Sequence, residues 1–591
     1  VYSFFQCSFI KALEEWGIPV PESIRTGKAA RGTFRWADLA EVVEYNAQEL
    51  AALRQLMERL AAAFADAYRE AGLPIVLRPD LWHGPGAHVA RWLEHVGFND
   101  DFPECPLPAH LARGIDLHAG RLVDDPEPYR KHPGALAYFG GRIECAAVGR
   151  FPKAYDYDLN SAYPYALSIL PPWRRWRRPD GLPDKRRRIG IYLVEWEWPE
   201  GWYWYPFPAR NRQGGVAFPR VGRGYIMSPE LYAALETIPN AHRYVRILWG
   251  AVAEGTEGFG AGELPPSGER RLSRLARSVQ QLAAVRLRLK AEGRQSHRAL
   301  KLVLNSAYGK VVQQVGLPRY LRFHIGAWVT SVTRARLWRA IAPVRERPVV
   351  VACMTDGVMA TEPLTLDEGP ALGQWQGVEV ADLRQWLPGV YAFQNGKTVV
   401  HYRGLTHFDP DEAERAWFGR PYEVETQVFV TWRLARHQKH VFGGLARQFA
   451  RWRKSLICDL HAKRAGTDLD WRMPLRPGEA HRWFAPKEST FRGVDPAADL
   501  ETWGWPAPIG AEPSYRLATG RSLDADVLAE QQEDGMLGEG VETHGTPSKR
   551  DTRAAGDDST AEGRRQGVEG DSEGGGAVGY DGSSRPKAIS A

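Results

Sequence analysis

The sequence predicts an α+β protein built in several parts, and three segments carry that prediction. Ala154-Tyr-Asp-Tyr157 runs into Asp158, and Pro348-Val-Val-Val-Ala-Cys-Met354 runs into Thr355-Asp356-Gly357, so two segments of strand character each end on a carboxylate. Between them, Lys301-Leu-Val-Leu-Asn305-Ser306-Ala-Tyr308-Gly309 puts Lys301, Asn305 and Tyr308 at i, i+4 and i+7, on one face of a helix. Two carboxylates from separate strands can hold a pair of Mg²⁺ ions, and a basic helix face can hold a triphosphate against them.

At 591 residues the chain is too long for one core, so about two to four domains are expected. With 43% apolar residues, and 22 Trp, 22 Tyr and 21 Phe, it has ample material for large cores. The formal charge of +6 is unevenly spread: from Arg521 onward 15 acids against 8 bases give −7, which leaves +13 on residues 1–520. A basic body suits a polyanionic partner. Arg outnumbers Lys roughly four to one, which fits bidentate phosphate contacts and a GC-rich genome equally well. Cys7, Cys105, Cys145, Cys353 and Cys458 are scattered, without a C-x-x-C pair, which argues against structural zinc and a disulfide framework. No apolar run is long enough to span a bilayer and no leader pattern opens the chain, so a cytoplasmic protein without membrane contact is expected. Val1-Tyr-Ser-Phe-Phe5 begins inside an apolar segment, and an upstream part is expected.

In chain order, residues 38–71 read as a helix, with Leu50, Leu53, Met57 and Leu60 at helical spacing. Residues 81–135 are mixed, with turn residues around His83-Gly-Pro-Gly86. A strand and turn are expected at Ala137-Tyr138-Phe-Gly140-Gly141-Arg142, and a strand at Ile191–Trp198. Trp173-Arg-Arg-Trp-Arg-Arg178 and Lys185-Arg-Arg-Arg188 interleave bases with aromatics. Residues 268–291 form an amphipathic helix with Leu272, Leu275, Val279, Leu282 and Leu289 inward. A break at Gly293 then makes it an antiparallel hairpin with the Lys301 helix. Residues 436–464 are basic and amphipathic, and beyond about 515 a Gly-, Ser- and acid-rich tail is expected to be disordered.

Each feature alone has an ordinary reading. An Asp after a strand is commonly a turn or cap residue, Thr355-Asp-Gly357 is a hairpin signal, Lys301 could be solvated, and Gly309 could be a helix C-cap. Their order and separation make the conjunction specific. Asp156-Tyr-Asp158 also fits the D-x-D metal motif of nucleotide-sugar glycosyltransferases, a reading that leaves Lys301 and Asp356 unexplained.

The three segments resemble motifs A, B and C of the family B DNA polymerases, whose patterns are D-x-x-S-L-Y-P, K-x-x-x-N-S-x-Y-G and Y-x-D-T-D-S. Motif A matches apart from Ala162 for Leu, and motif B matches completely. Motif C departs, with Ala352 for Tyr, Met354 for the first Asp and Gly357 for Ser, while the second Asp is kept as Asp356. Tyr138-Phe-Gly140-Gly141 resembles the family's Y-x-G-G template contact. Tyr391 stands in its K-x-Y primer contact, with Gly389 where the Lys would be. Tyr45-Asn-Ala-Gln-Glu49 resembles the last exonuclease motif, Y-x-x-x-D, with Glu for Asp; the earlier exonuclease motifs are not found, so proofreading is not expected.

The resemblance implies a right-hand polymerase: a palm with an antiparallel sheet, helical-hairpin fingers and a thumb, preceded by part of an RNase H-like exonuclease domain. The implied divisions are 1–135 (exonuclease remnant and linker), 136–265 (palm, motif A), 266–312 (fingers), 313–410 (palm, motif C), 411–510 (thumb) and 511–591 (acidic tail). It implies two Mg²⁺, replaceable by Mn²⁺, held by Asp158, the Leu159 carbonyl and Asp356. Lys301 would grip the triphosphate of a dNTP, helped by Arg288 or Lys290. Tyr163 would exclude a ribose 2′-hydroxyl, while Asn305 and Tyr308 would line the nascent base pair. Tyr138, Gly140, Gly141, Gly309 and Tyr391 would contact primer–template DNA, and replication proteins would be further partners. A viral, prophage or plasmid setting fits the size. Only 47 positions separate Gly309 from Asp356, little room for the added segment of protein-primed relatives, which favours a nucleic-acid primer. A catalytically weak, polymerase-like DNA binder is the alternative.

Overall fold

The computed structural model describes residues 2–103 and 133–402, with breaks at 6, 31–37, 79–80, 83, 211–215 and 314–318, and then 408–416, 422–429, 449–456 and 482–484. Its first hundred residues are helical: α1 (Phe9–Glu15), α2 (Glu22–Ala30), α3 (Leu39–Glu70) and α4 (Pro85–His95). No strand occurs among the described residues before Arg142, so the sheet of an RNase H-like domain is not seen there. The 32-residue α3 forms where the sequence predicts it but buries a different stripe. Ala52, Leu56, Leu60, Ala63, Phe64 and Ala67 face inward, whereas Leu50 is 65% exposed and Leu53 and Met57 are half-buried. The alanines permit close approach to a neighbouring helix, and a pattern read from large residues alone misses that face.

That neighbour belongs to the predicted hairpin. Helix α7 (Arg274–Ala291) starts at Ser273, whose hydroxyl accepts the Ala276 amide at 3.0 Å. The chain turns at Gly293 (φ 70) and returns as α8 (Ser296–Val312). Leu272, Leu275, Val279, Leu282 and Leu289 are all buried, as their spacing predicts. Helix α8 packs against α3, α4 and α7, and one continuous hydrophobic core joins the N-terminal helices to the hairpin. Three further helices complete this layer's surroundings. The short α5 (Ala162–Ser168) follows Asp158, α6 (Ser228–Thr237) follows a strand, and α9 (Phe323–Ile341) is buried along nearly its whole length.

A curled antiparallel sheet of eight strands carries the two aspartates. Its strands are β1 (Arg142–Cys145), β2 (Ala147–Leu159), β7 (Val350–Thr355), β8 (Gly357–Ala360), β9 (Trp375–Leu387), β10 (Val390–Asn395) and β11 (Lys397–Tyr402), in the order β1-β7-β8-β2-β9-β10-β11. The eighth, β14 (Arg482–Phe484), pairs with the start of β2. A four-stranded sheet, β3 (Trp176–Arg177), β4 (Gly190–Glu197), β5 (Val221–Met227) and β6 (Val245–Ala253), lies between α5 and α7 in sequence, in the order β3-β6-β4-β5. A separate ribbon pairs β12 (Tyr422–Phe429) with β13 (Phe449–Leu456). The expected strand at 137–142 begins only at Arg142, because the backbone before it is engaged otherwise, as described below. The interleaved aromatics Trp173 and Trp176 are core residues, 2% and 4% exposed, and Arg188 is fully buried in a pair with Asp184. All described residues fall within one compact unit. The linker at 104–132, most of the expected thumb and of the basic 436–464 stretch, and the 511–591 tail lie outside them. No described helix is long and apolar enough to cross a membrane.

Candidate functional site

Alternation along β2 builds the first half of the site. Tyr157 and Leu159 point into a core at 3% and 1% exposure, which turns Asp156 and Asp158 to the opposite face. The second half is the β7–β8 hairpin. Gly357 lies opposite both Met354 and Asp158, so β8 sits directly between the two carboxylate-bearing segments. The hairpin turns very tightly: the Asp356 amide donates to the Met354 carbonyl at 2.7 Å across Thr355, which has φ 61. A positive-φ γ-turn centred on a β-branched residue is strained. The Leu159 amide in turn donates to the Asp356 carbonyl at 3.0 Å, pinning the end of β2 to the turn. Aspartates 198 positions apart thus become backbone neighbours.

Their charges act on one another. Burial, then the charge of Asp158, pushes Asp356 up to about 7 and Asp156 up to about 6. Burial also raises Asp158, against the pull of the Lys301 ammonium. The Tyr391 hydroxyl is raised first by burial and then by the charges of Asp156, Asp158 and Asp356. A cleft of about 620 Å³ opens here, lined by Asp156, Asp158, Glu368, Trp375, Gln376 and Val378 among others. Among the described residues no group of three or more His, Cys, Asp or Glu side chains is arranged to hold one metal ion. Asp156 therefore adds charge without completing a cage of side chains.

Helix α8 presents Lys301, whose charge acts on Asp158, on its exposed face. Lys301 and Asn305 are exposed, Tyr308 is half-buried, and Leu300, Val303, Leu304 and Ala307 hold the opposite face in the core. Tyr163, on the first turn of α5 after Ser161 (φ 51), lies 4.6 Å from Tyr308 between ring centroids. The Tyr308 and Tyr138 hydroxyls are hydrogen-bonded, so three tyrosines join the turn after Asp158, helix α8 and the 138–141 loop.

No protein-family model matches the chain. It is 28% identical over 309 residues to the primer-independent DNA polymerase PolB of Escherichia coli, a match covering 47% of this chain and 34% of that protein. Over about half its length the chain is thus similar to a DNA polymerase. It matches about a third of the length of that curated relative. Solved structures similar to it include phi29 DNA polymerase complexed with single-stranded DNA, at 14% identity and a TM-score of 0.47 over 72% of this chain and 76% of that one. The phi29 ternary complex with primer–template DNA and incoming nucleotide matches at 13% and 0.46 over 78% and 79%. The family B DNA polymerase of Pyrobaculum calidifontis matches at 12% and 0.30 over 74% and 53%.

The remaining predicted residues are placed as follows. Tyr138, Gly140 and Gly141 form a loop whose Phe139 and Gly140 carbonyls accept hydrogen bonds from Arg334, the first at 2.7 Å. Arg334 is itself paired with Glu230 at 2.8 Å, both within 2% of full burial. Gly141 packs on the hairpin turn: a Cβ there would lie 3.0 Å from the Thr355 Cα. Gly309 is not a C-cap but an exposed mid-helix residue with open space around it. Arg288 pairs with Glu70 at 2.7 Å, which commits it to α3, and Lys290 is exposed near the end of α7. Arg286, not singled out from the sequence, reaches the motif A turn, donating to the Ser161 hydroxyl at 3.3 Å. Helical phase distinguishes Arg286 from Arg288, and that signal was available in the Leu275–Leu289 pattern. Tyr45 is buried with its ring against Gly27, and Glu49 forms an ion pair with Lys28, so both have packing roles in the helical layer.

Proposed function

We propose that the chain is a template-directed DNA polymerase that adds deoxynucleotides to a primer 3′-hydroxyl, with the curled sheet as palm and α7–α8 as fingers. The observation that carries this reading is the meeting of Asp158 and Asp356 at the end of β2, with the Lys301 ammonium acting on the same carboxylate. Buried carboxylates that repel one another, with oxygen donors only, suit a hard divalent cation. Asp158, Asp356 and the Leu159 carbonyl would hold two Mg²⁺, with Mn²⁺ able to replace them. Bound metal would supply charge neutralisation for the 3′-hydroxyl and for the leaving pyrophosphate.

The protein's own groups do the rest. Lys301 and Arg286 flank the motif A turn from two helices and would hold a triphosphate between them. Tyr163, fixed against Tyr308, would wall off the volume of a ribose 2′-hydroxyl, and Asn305 would face the base pair. Loop 138–141 would support the template strand. A role in viral or mobile-element replication accompanies this reading. The test is primer extension with Mg²⁺ or Mn²⁺, run with and without a primer because the E. coli relative is named primer-independent. Extension that disappears in Asp356→Asn supports the proposal. Retained DNA binding without any extension by the wild type would favour the polymerase-like DNA binder.

A further inference from the structure

The family's K-x-Y element is incomplete here, and the structure shows why. Gly389 occupies the second position of the Pro388-Gly389 turn that joins β9 to β10, with φ 78, a conformation a lysine would adopt only under strain. The turn has taken the position where a charge would stand. On the neighbouring strand, His401 pairs in register with Tyr391, and their rings stack at 4.5 Å between centroids and 16° between planes. Strand β11 is the edge of the sheet among the described strands, and His401 is exposed on it. Asn395 and Lys397, exposed at the hairpin end, share the same face by register. Tyr391 itself lies within the field of Asp156, Asp158 and Asp356, so this face leads directly out of the candidate active site.

We propose that His401 is a primer-strand contact, donating from its ring to a backbone phosphate beside Tyr391 and supplying the charge that Gly389 cannot. This rests on the polymerase reading and extends its DNA track onto the β10–β11 hairpin. In the protein alone, His401 is exposed at its edge, while the ring face covered by Tyr391 is desolvated and its basicity is lowered. The titratable groups around it are Tyr391, stacked on its ring, the three aspartates beyond Tyr391, and Lys397 on its own strand. A phosphate at the imidazole reverses that balance, so binding primer should take up a proton.

The experiment measures primer–template affinity of the full chain by fluorescence anisotropy at about pH 6 and about pH 8, with melting curves alongside. Wild-type affinity should rise toward the lower pH. His401→Phe, which keeps the stack, and His401→Gln, which keeps the size, should both lose that rise. His401→Lys should bind tightly at both pH values and, at the higher one, show a log affinity–log salt slope steeper by about 1 than His401→Phe. A pH response that survives in the Phe and Gln variants, or a Lys variant no tighter than Phe, overturns the assignment. Wild-type protein that binds primer–template without extending it defeats the polymerase reading alone. Normal extension with a pH response unmoved by the substitutions defeats only the role of His401.

Discussion

At the scale of single residues the carboxylates make the sharpest claims. Asp356→Asn should abolish incorporation with primer–template binding nearly intact, measured by extension and anisotropy on the same preparation. It also tests the electrostatics. With Asp356 pushed up to about 7, the folded protein keeps a proton that an unfolded aspartate releases near 4, so stability falls as pH rises through that window. In chelator, Asp356→Asn should therefore melt above wild type at about pH 8, and the gap should close toward about pH 4. An unchanging gap would mean that the carboxylate is not desolvated. Lys301→Ala should raise the KM for dNTP and leave stability within about 0.5 kcal/mol, since the side chain is exposed. Unaltered nucleotide kinetics would return it to ordinary surface charge. Tyr163→Val should admit ribonucleotides; a variant that melts early yet still rejects them would make the Tyr163–Tyr308 contact a packing feature only. Most of these residues were legible in the sequence because strand ends and helix phase fix them locally. Arg334 was not, since its partners lie far away in the chain and nothing local marks a buried arginine, whereas Arg286 could have been found from its helical phase with Leu282 and Leu289.

At the scale of elements, the hairpin α7–α8 came through whole: its apolar phase, its glycine break and its exposed Lys301-Asn305 face are all written in sequence spacing. What spacing could not give is where its tip rests. Arg294 binds Asp66 at 2.6 Å and Glu70 at 3.0 Å, and Arg288 shares Glu70, so the tip is tied to α3 by a partly exposed ionic network. Arg294→Gln should lower stability only slightly, and the difference from wild type should shrink in high salt as exposed charges are screened. Thermal melts at two salt concentrations decide this; a salt-independent difference would assign the loss to packing. Helix α3 shows the converse limit. Its existence was plain, but its buried stripe was set by alanines facing α8, and alanine carries little weight in an amphipathic pattern.

Across the whole molecule, a few buried polar links fix how the layers meet. Arg334 ties α9 to α6 through Glu230 and holds loop 138–141 against the β7–β8 turn. Arg334→Ala strands a buried carboxylate and should cost about 3–5 kcal/mol, read as a large fall in melting temperature, whereas an exposed arginine such as Arg178 should cost almost nothing when truncated. Equal losses at the two positions would dismiss the buried pair as an anchor. The mixed helix-and-sheet class was legible because both periodicities are strong. The all-helical character of the described N-terminal residues was not, because a resemblance at two positions, Tyr45 and Glu49, stood in for a fold. The core those N-terminal helices share with the hairpin has a bearing on protein engineering. A shorter chain made by trimming the first hundred residues would lose the inner wall of the α7–α8 arm, exposing Leu300, Val303 and Leu304 to water. Any chimera that borrows this arm has to import its helical backing with it; the transplantable unit follows the packing, not the motif boundaries.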